Sequence, residues 1–112
     1  MLNQADIVLV PVPFTDLSST RRRPVIVISN DAYHTSGEDM IVVAMTSNPR
    51  QTPYSFVLSN KDLVAGALNR PGTVRADKVY TLARKIIVKT FGRVSNAVLD
   101  DIRKILEQII KP

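Results

Sequence analysis

The chain has 112 residues, of which 45% are hydrophobic, and this length and composition suit one domain spanning residues 1–112. Its 15 Lys and Arg against 10 Asp and Glu give a formal net charge of +5 at pH 7. Because the chain has no cysteine and only one histidine, we expect no disulfide, no metal centre and no cofactor, so catalysis would fall to Asp, Arg, Lys, Ser, Thr and Tyr.

Six short apolar runs bounded by turn-forming residues are predicted to be β-strands. They cover residues 6–10, 24–29, 40–46, 54–58, 72–75 and 85–94. The first ends at Pro11 and Pro13, as expected of a strand at a sheet edge. The second and third are apolar throughout, which predicts central strands that are buried on both faces. Gly92 indicates a bulge or a strong bend in the last strand.

The segments between the strands are predicted to be loops, with one short helical segment. Residues 14–22 are rich in side chains that hydrogen-bond their own backbone, which favours turns. Residues 30–39 are polar, and we expect His34 to be exposed and uninvolved there. Residues 61–67 are predicted to form one or two helical turns.

A helix is predicted to begin after Ser95, which is a good N-cap, and to run close to the C-terminus. Its apolar residues recur in steps of four, three and four and therefore share one face: Val98, Ile102, Ile105 and Ile109. The apolar stripe is widened by Leu99, Leu106 and Ile110, which suggests a subunit interface. Several short strands and one terminal helix predict a mainly β fold, in which a small, strongly bent antiparallel sheet closes toward a barrel.

The positive charge is concentrated in one part of the chain. Residues 40–94 carry nine basic side chains against only Asp62 and Asp77, a local net charge of +7. Such clustering indicates a partner rich in phosphate, either nucleic acid or an anionic membrane. No apolar run reaches the roughly 18 to 20 residues that span a membrane, and no secretory signal is apparent. We therefore expect a cytoplasmic protein that binds nucleic acid.

Arg75 and Asp77 are two residues apart on a predicted strand, so their side chains should share one face. A guanidinium can clamp phosphate while a carboxylate accepts a proton, and RNA supplies its own nucleophile, the 2′-hydroxyl. Arg23, just before Pro24, offers a second clamp. These groups would suffice to cut RNA without a metal. Alternatively, Arg75 and Asp77 form only a surface ion pair, and Arg23 is only the solvated end of a basic run.

Five segments of the chain resemble the MazF, PemK and Kid toxins of bacterial toxin–antitoxin pairs, in the order that this family shows. They are residues 6–10, 23–30, 43–47, 73–78 and 92–95. The resemblance implies a small SH3-like barrel and a metal-independent endoribonuclease that cleaves single-stranded RNA, leaving a 2′,3′-cyclic phosphate. It also implies a homodimer, inhibition by a small acidic antitoxin, and binding of promoter DNA by the toxin–antitoxin complex.

The same resemblance identifies four candidate catalytic residues. Arg23 matches the family's Arg-Pro arginine, Thr46 matches the threonine that ends the central strand, and Arg75 and Asp77 match the Arg-x-Asp pair of Kid. Asp77 is the expected base, while the arginines and the Thr46 hydroxyl would hold phosphate oxygens, although Thr46 could simply stabilise a turn. Further candidates for RNA contacts are Arg21, Arg22, Ser47, Lys78 and Tyr80, with Tyr80 as a base-stacking residue.

A noncatalytic function is the main alternative. The CcdB toxins resemble this fold yet act by trapping DNA gyrase, and other small barrels only bind their partners, so fold alone does not decide between the two. Arg23, Thr46, Arg75 and Asp77 favour the nuclease, because a gyrase binder has no need of them.

Overall fold

The computed structural model describes residues 2–13, 21–48 and 52–112. Within these ranges seven strands form one antiparallel sheet. They are β1 (Asp6–Val12), β2 (Arg21–Val27), β3 (Asp39–Thr46), β4 (Ser55–Leu58), β5 (Leu63–Gly66), β6 (Gly72–Ala83) and β7 (Lys89–Val94). The helices are α1 (Asp31–Thr35) and α2 (Asn96–Ile110), and two 3₁₀ turns cover Asn60–Asp62 and Arg84–Ile86. The mainly β fold with a C-terminal helix is therefore confirmed.

The strands follow the spatial order β4-β6-β3-β2-β1-β7-β5, which places β2, β3 and β1 at the centre of the sheet. The edge position expected for the first strand is therefore wrong. Strand β1 pairs with both β2 and β7 and continues through Pro11, which lies beyond the end of the β7 pairing at Leu9, where no described strand on that side needs its missing N–H.

The twelve-residue strand β6 pairs with β3 along its length and with β4 over its first part. Between these two parts the β3–β6 register shifts, because Val43 lies opposite Val79 whereas Ala44 lies opposite Arg75. The extra residues in β6 form a bulge, which increases the local bend and curls the sheet.

The core has two clusters, one on each face of the central strands. On β3, Val43 and Met45 belong to the first cluster, whereas Met40 and Val42 belong to the second. This alternation confirms that the central strands are buried on both faces, because successive side chains of a strand point to opposite faces. Helix α2 covers the first cluster, and the C-terminal part of β6 with the turn Arg84–Ile86 covers the second.

Helix α2 begins as predicted. The side chain of Ser95 accepts a hydrogen bond from the Val98 amide at 3.4 Å, which satisfies one of the unpaired donors at the helix start. Val98 and Ile102 are fully buried, whereas Ile110 at the far end is 79% exposed. Among the described helices, none is long and apolar enough to cross a membrane.

The predicted bulge at Gly92 is confirmed. Ile7 of β1 lies opposite Gly92, but the next residue, Val8, lies opposite Thr90, so that Phe91 is the extra residue. A side chain at Gly92 would lie 3.0 Å from the carbonyl oxygen of Ala65, which explains why the smallest residue occupies this close approach of two strands.

Several predicted segments are wrong in type or length. The strand predicted at residues 72–75 extends to Ala83, because its pairing with β3 continues to that residue. Residues 61–67 are not helical: a single 3₁₀ turn is followed by β5, which pairs with β7 from Leu63 opposite Val94. This pairing across the sheet overrides the local preference. The last strand begins at Lys89 rather than at residue 85, because a 3₁₀ turn occupies Arg84–Ile86. Arg21 and Arg22, predicted to lie in a loop, begin β2 instead, and residues 14–20 of that predicted loop lie outside the described part of the chain.

The expectation that His34 is exposed is wrong. Asn30 caps the short helix α1 by accepting the Tyr33 amide at 2.9 Å, and the helix turns His34 inward until only 6% of it is exposed. Its Nε2 lies 2.7 Å from the Ser29 hydroxyl oxygen, which also accepts the Ile41 amide at 2.9 Å. Burial lowers the pKa of His34 below 6.5, and the positive charge of Arg84 lowers it further. His34 therefore ties α1 to the sheet as a neutral side chain at pH 7.

Candidate active site

Arg75 and Asp77 form a bidentate ion pair on one face of β6. The Nε and Nη2 atoms of Arg75 donate to the two carboxylate oxygens of Asp77, each at 3.1 Å. Val74 and Ala76 point the other way and are fully buried in the first core cluster. The prediction that the two charged side chains share a face is therefore confirmed, and about 28% of each remains exposed to solvent.

This pairing changes the acidity of both groups. The hydrogen bonds from Arg75 lower the pKa of Asp77 below its ordinary value of 3.8, and the same contact raises the pKa of Arg75. Asp77 is consequently ionised at neutral pH, as a proton acceptor must be. Because both of its oxygens are held by a cation, it is also a weaker base than an unpaired aspartate.

The strand register places Arg23 and Thr46 on the same sheet face as Arg75. Residues that lie directly opposite each other on antiparallel strands share a face. Arg75 lies opposite Ala44 of β3, and Ala44 lies opposite Val25 of β2. Thr46 lies two residues after Ala44 on β3, and Arg23 lies two residues before Val25 on β2. Residues two apart on a strand share a face, so Thr46 and Arg23 lie on the face of Arg75. The backbones of β2 and β6 are about 10 Å apart across β3, so long guanidinium side chains from both strands can contact one short stretch of RNA.

Thr46 ends β3 and stabilises the turn that follows. Its hydroxyl oxygen accepts a hydrogen bond from the Asn48 amide at 3.1 Å, as expected if Thr46 stabilises a turn. A hydroxyl that accepts one hydrogen bond keeps its own hydrogen for donation. The turn contact therefore fixes the position of the hydroxyl without preventing it from donating to a phosphate oxygen.

A cavity of about 510 Å³ opens where β2 begins and β3 ends. Arg22, Arg23, Thr46 and Ser47 border it, so the structure brings together four of the residues that the sequence singled out. Arg75 and Asp77 are not part of this lining and lie farther along β6. The candidate site thus has two parts, the cavity and the ion pair, and they are linked by Arg23 and Thr46, which line the cavity and lie on the sheet face of Arg75.

Three other predicted RNA contacts lie away from the cavity. Arg21 and Lys78 are exposed, the former at the start of β2 and the latter beside Asp77. Tyr80 is half-buried and packs against the second core cluster. Phe91 packs in the same way against the first core cluster but lines the cavity, whereas Tyr80 is not part of the lining.

Sequence reasoning missed three residues of the cavity: the cations Arg70 and Lys89 and the aromatic Phe91. All three line the cavity, together with Leu68. Two signals in the sequence point to the two cations. Both cations belong to the basic segment 40–94, and the residues Asn69-Arg70-Pro71-Gly72 strongly indicate a turn. What the sequence lacked was the pairing of β5 with β7, which brings the turn over Phe91.

The described residues contain no group of three or more His, Cys, Asp or Glu side chains that could hold a metal ion. The side chains at the site offer guanidinium, ammonium, hydroxyl and carboxylate groups. Together they can bind phosphate, stabilise developing negative charge and accept a proton.

Comparisons with known proteins agree on one family. The sequence profile of the PemK-like, MazF-like toxins of type II toxin–antitoxin systems matches residues 3–110. No curated protein matches the chain. Several solved structures share the fold at low identity. A MazE–MazF complex from Deinococcus radiodurans is 23% identical with a TM-score of 0.78, covering 97% of this chain and 95% of that one.

Two mycobacterial structures are similar in the same way. An endoribonuclease is 20% identical with a TM-score of 0.75, covering 96% of this chain and 88% of that one. An endoribonuclease in complex with its cognate antitoxin is also 20% identical, with a TM-score of 0.74 and coverage of 100% and 98%. These likenesses extend over the whole curled sheet and the terminal helix.

Proposed function

We propose that this chain is a toxin that cleaves single-stranded RNA without a metal ion. It belongs to the family of PemK-like, MazF-like toxins of type II toxin–antitoxin systems. The observation that carries this proposal is the bidentate pair of Arg75 and Asp77 on the same sheet face as Arg23 and Thr46, which also line a cavity bordered by further cations. The similar mycobacterial proteins described as endoribonucleases support it.

The reaction needs no nucleophile from the protein. The 2′-oxygen of one nucleotide attacks the adjacent phosphorus while the bond from phosphorus to the 5′-oxygen breaks, which leaves a 2′,3′-cyclic phosphate and a 5′-hydroxyl. Asp77 accepts the proton of the 2′-hydroxyl, and the departing 5′-oxygen takes a proton from water, to which Asp77 then returns its own. Arg23 and Arg75 stabilise the phosphate oxygens as they gain charge, and the Thr46 hydroxyl donates to one of them.

Arg75 has a different partner before RNA binds, because its donors are held by Asp77. An RNA phosphate competes for the same donors, since guanidinium pairs with phosphate and with carboxylate in the same bidentate manner. When phosphate replaces the carboxylate, Asp77 loses the hydrogen bonds that lower its pKa. Its pKa then rises toward the ordinary value, and it becomes a stronger base next to the bound phosphate. Substrate binding thus produces the active base.

Incubation of the purified protein with single-stranded RNA in EDTA tests the activity. We expect cleavage to continue and the products to carry 2′,3′-cyclic phosphates. Asp77→Asn and Arg75→Ala should each lower the cleavage rate by at least about 10²-fold. Asp100→Asn and Arg103→Ala are matched controls, because Asp100 and Arg103 form an exposed ion pair on α2, with 2.7 Å between the paired atoms, and should have no effect.

The outcome in living cells separates the two classes of function. If the RNA stays intact in vitro while expression of the protein still stops growth, the protein acts as a noncatalytic binder, as CcdB toxins do, and the nuclease proposal is wrong. If Asp77→Asn abolishes both cleavage and growth arrest, toxicity depends on the chemistry.

The proposal includes the partners that the family implies. A small acidic antitoxin would compete with RNA for the cations around the cavity, and the complex of the two proteins would bind promoter DNA. A second copy of the chain would form a homodimer. The toxin's RNA substrate places its action in the cytoplasm. Size-exclusion chromatography with light scattering, before and after adding the antitoxin, tests the dimer and the complex.

A further inference from the structure

The cavity beside Thr46 combines positive charge with apolar and aromatic surface. Arg22, Arg23, Arg70 and Lys89 border it, and no acidic side chain is among the described residues that line it. Half-buried Phe91 provides the aromatic surface. The volume of about 510 Å³ lies within the range of roughly 300 to 1,000 Å³ that is usual for sites that bind small molecules or parts of larger ones.

The wall that carries Arg70 is built into the fold. The side-chain amide of Asn60 binds the backbone of Leu68 twice: its oxygen accepts the Leu68 amide at 2.6 Å, and its nitrogen donates to the Leu68 carbonyl at 3.3 Å. Gly66, just before this segment, has a φ of +74° and contacts the Phe91 carbonyl oxygen so closely that no side chain would fit. These contacts hold the turn of residues 67–71 over Phe91, so this wall of the cavity is preformed.

We propose that this cavity binds the nucleotide next to the scissile phosphate, with its base against Phe91 and Leu68 and its phosphate held by Arg70 and Lys89. This inference rests on the proposed function and names the part of the RNA that the cavity recognises. Unpaired bases stack on aromatic side chains, and adjacent cations bind the backbone phosphates of single strands. The combination of both features in one cavity favours RNA over an acidic peptide, which would use the cations but not the aromatic surface.

Arg70 and Lys89 are therefore binding residues that act apart from the chemical step. In the described part of the chain, no hydrogen bond or ion pair joins either cation to Arg75 or Asp77, which are bound to each other. Replacing either cation should weaken RNA binding and raise KM while leaving kcat nearly unchanged. A merely structural role would instead lower the melting temperature or reduce kcat and leave RNA affinity unaffected.

The test uses single-stranded RNA with 2′-fluoro groups in place of the 2′-hydroxyls, which removes the nucleophile, and measures binding by fluorescence anisotropy. We expect Arg70→Ala and Lys89→Ala each to weaken binding about fivefold to tenfold. Each should also reduce the slope of log affinity against log salt concentration by about 0.7, the value for one phosphate contact on a single strand. Lys104→Ala and Lys111→Ala remove exposed cations from α2 and the C-terminus and serve as matched controls.

A second series locates the base. Abasic sites are placed one at a time along the same RNA, and binding to the wild-type protein should fall about tenfold at one position. In Phe91→Leu, an abasic site at that position should no longer reduce the affinity for RNA, while thermal unfolding remains cooperative. Asn60→Ala removes the hydrogen bonds to Leu68 and leaves Phe91 in place, so the abasic site should reduce affinity less than it does in the wild type. This second variant keeps the test valid if Phe91→Leu does not fold.

The possible failures are distinguishable. If the wild-type protein binds no RNA, both the proposed function and the subsite are wrong. If it binds RNA but the Arg70 and Lys89 variants bind as tightly as the wild type, only the subsite is wrong. If these variants lose affinity for a poly-glutamate peptide but not for RNA, the cavity is a site for an acidic protein partner. A uniform response to every abasic position would also overturn the base assignment.

Discussion

The pH dependence of cleavage should differ between kcat/KM and kcat, because RNA binding releases Asp77 from Arg75. The kcat/KM profile reports ionisations of the free protein, whereas the kcat profile reports those of the RNA complex. In the free protein the pKa of Asp77 lies below 3.8. A carboxyl group of pKa 3.8 would already be about 94% ionised at pH 5, so kcat/KM should lose less than about 6% from titration of Asp77 between pH 8 and pH 5.

The sign of the expected difference follows from the base mechanism. Cleavage needs ionised Asp77, so each rate falls as the pH drops through the relevant pKa. Phosphate bound to Arg75 removes the hydrogen bonds that lower this pKa, and the acid limb of kcat should therefore lie at a higher pH than that of kcat/KM. Steady-state cleavage of a fluorogenic RNA from pH 3 to 8, with thermal unfolding measured at each pH, separates the titration from loss of structure.

Two results would contradict this reasoning. One is an acid limb of kcat/KM with its midpoint at pH 6 or above, because no paired aspartate of lowered pKa titrates there. The other is an unchanged acid limb in Asp77→Asn, which would assign the ionisation to another group. Asp100→Asn removes a carboxylate from α2 and should reproduce the wild-type profile.

Three further predictions concern the scaffold. Gly66→Ala should destabilise the protein by at least about 1 kcal/mol in urea unfolding, because Gly66 has a positive φ and an added Cβ atom would clash with β7. Gly37→Ala is the control: no heavy atom lies within 4 Å of the added Cβ, so the free energy of unfolding should change little. The pKa of His34 is lowered in the folded protein, so its contribution to stability is complete above pH 6.5 and should be lost as the pH falls below 6.5 toward the folded pKa. His34→Gln should make the free energy of unfolding less dependent on pH over that window. Ile102→Ala should cost about 2 to 5 kcal/mol in the same assay, since Ile102 is 1% exposed beneath α2, and a loss under 1 kcal/mol would show that α2 packs loosely.

Much of the fold is readable from the sequence because its strongest patterns are local. The apolar steps of α2 and its N-cap at Ser95 depend only on neighbouring residues, as do the continuous apolar runs of β2 and β3. Strand β5 was missed because Leu63–Gly66 carries little pattern of its own and becomes a strand by pairing with β7. The burial of His34 was missed for a related reason: its partner Ser29 lies on the other side of the Asn30 cap, and only the folded turn brings them together.

The candidate site divides in the same way. Arg75 and Asp77 are two residues apart on one strand, so strand geometry alone predicts that they share a face. Arg70 and Lys89 meet at the cavity only through the β5–β7 pairing and the Asn60 contacts to Leu68, which are separated in sequence by eight residues or more. A resemblance carried by short motifs therefore finds the chemical groups but not the surface that holds the rest of the substrate.

The charged pair also helps to fix the register on which the site depends. In β6, Val74 and Ala76 are fully buried while Arg75 and Asp77 point to the opposite, partly exposed face. A slip of one residue between β6 and β3 would turn both charges into the core beneath α2, and burying them there without new partners would be prohibitive. β3 is apolar on both faces and resists such a slip only weakly. Single replacements leave one charge to hold the register, so Asp77→Asn and Arg75→Ala should fold normally, whereas replacing both by leucine should broaden or abolish the cooperative thermal transition.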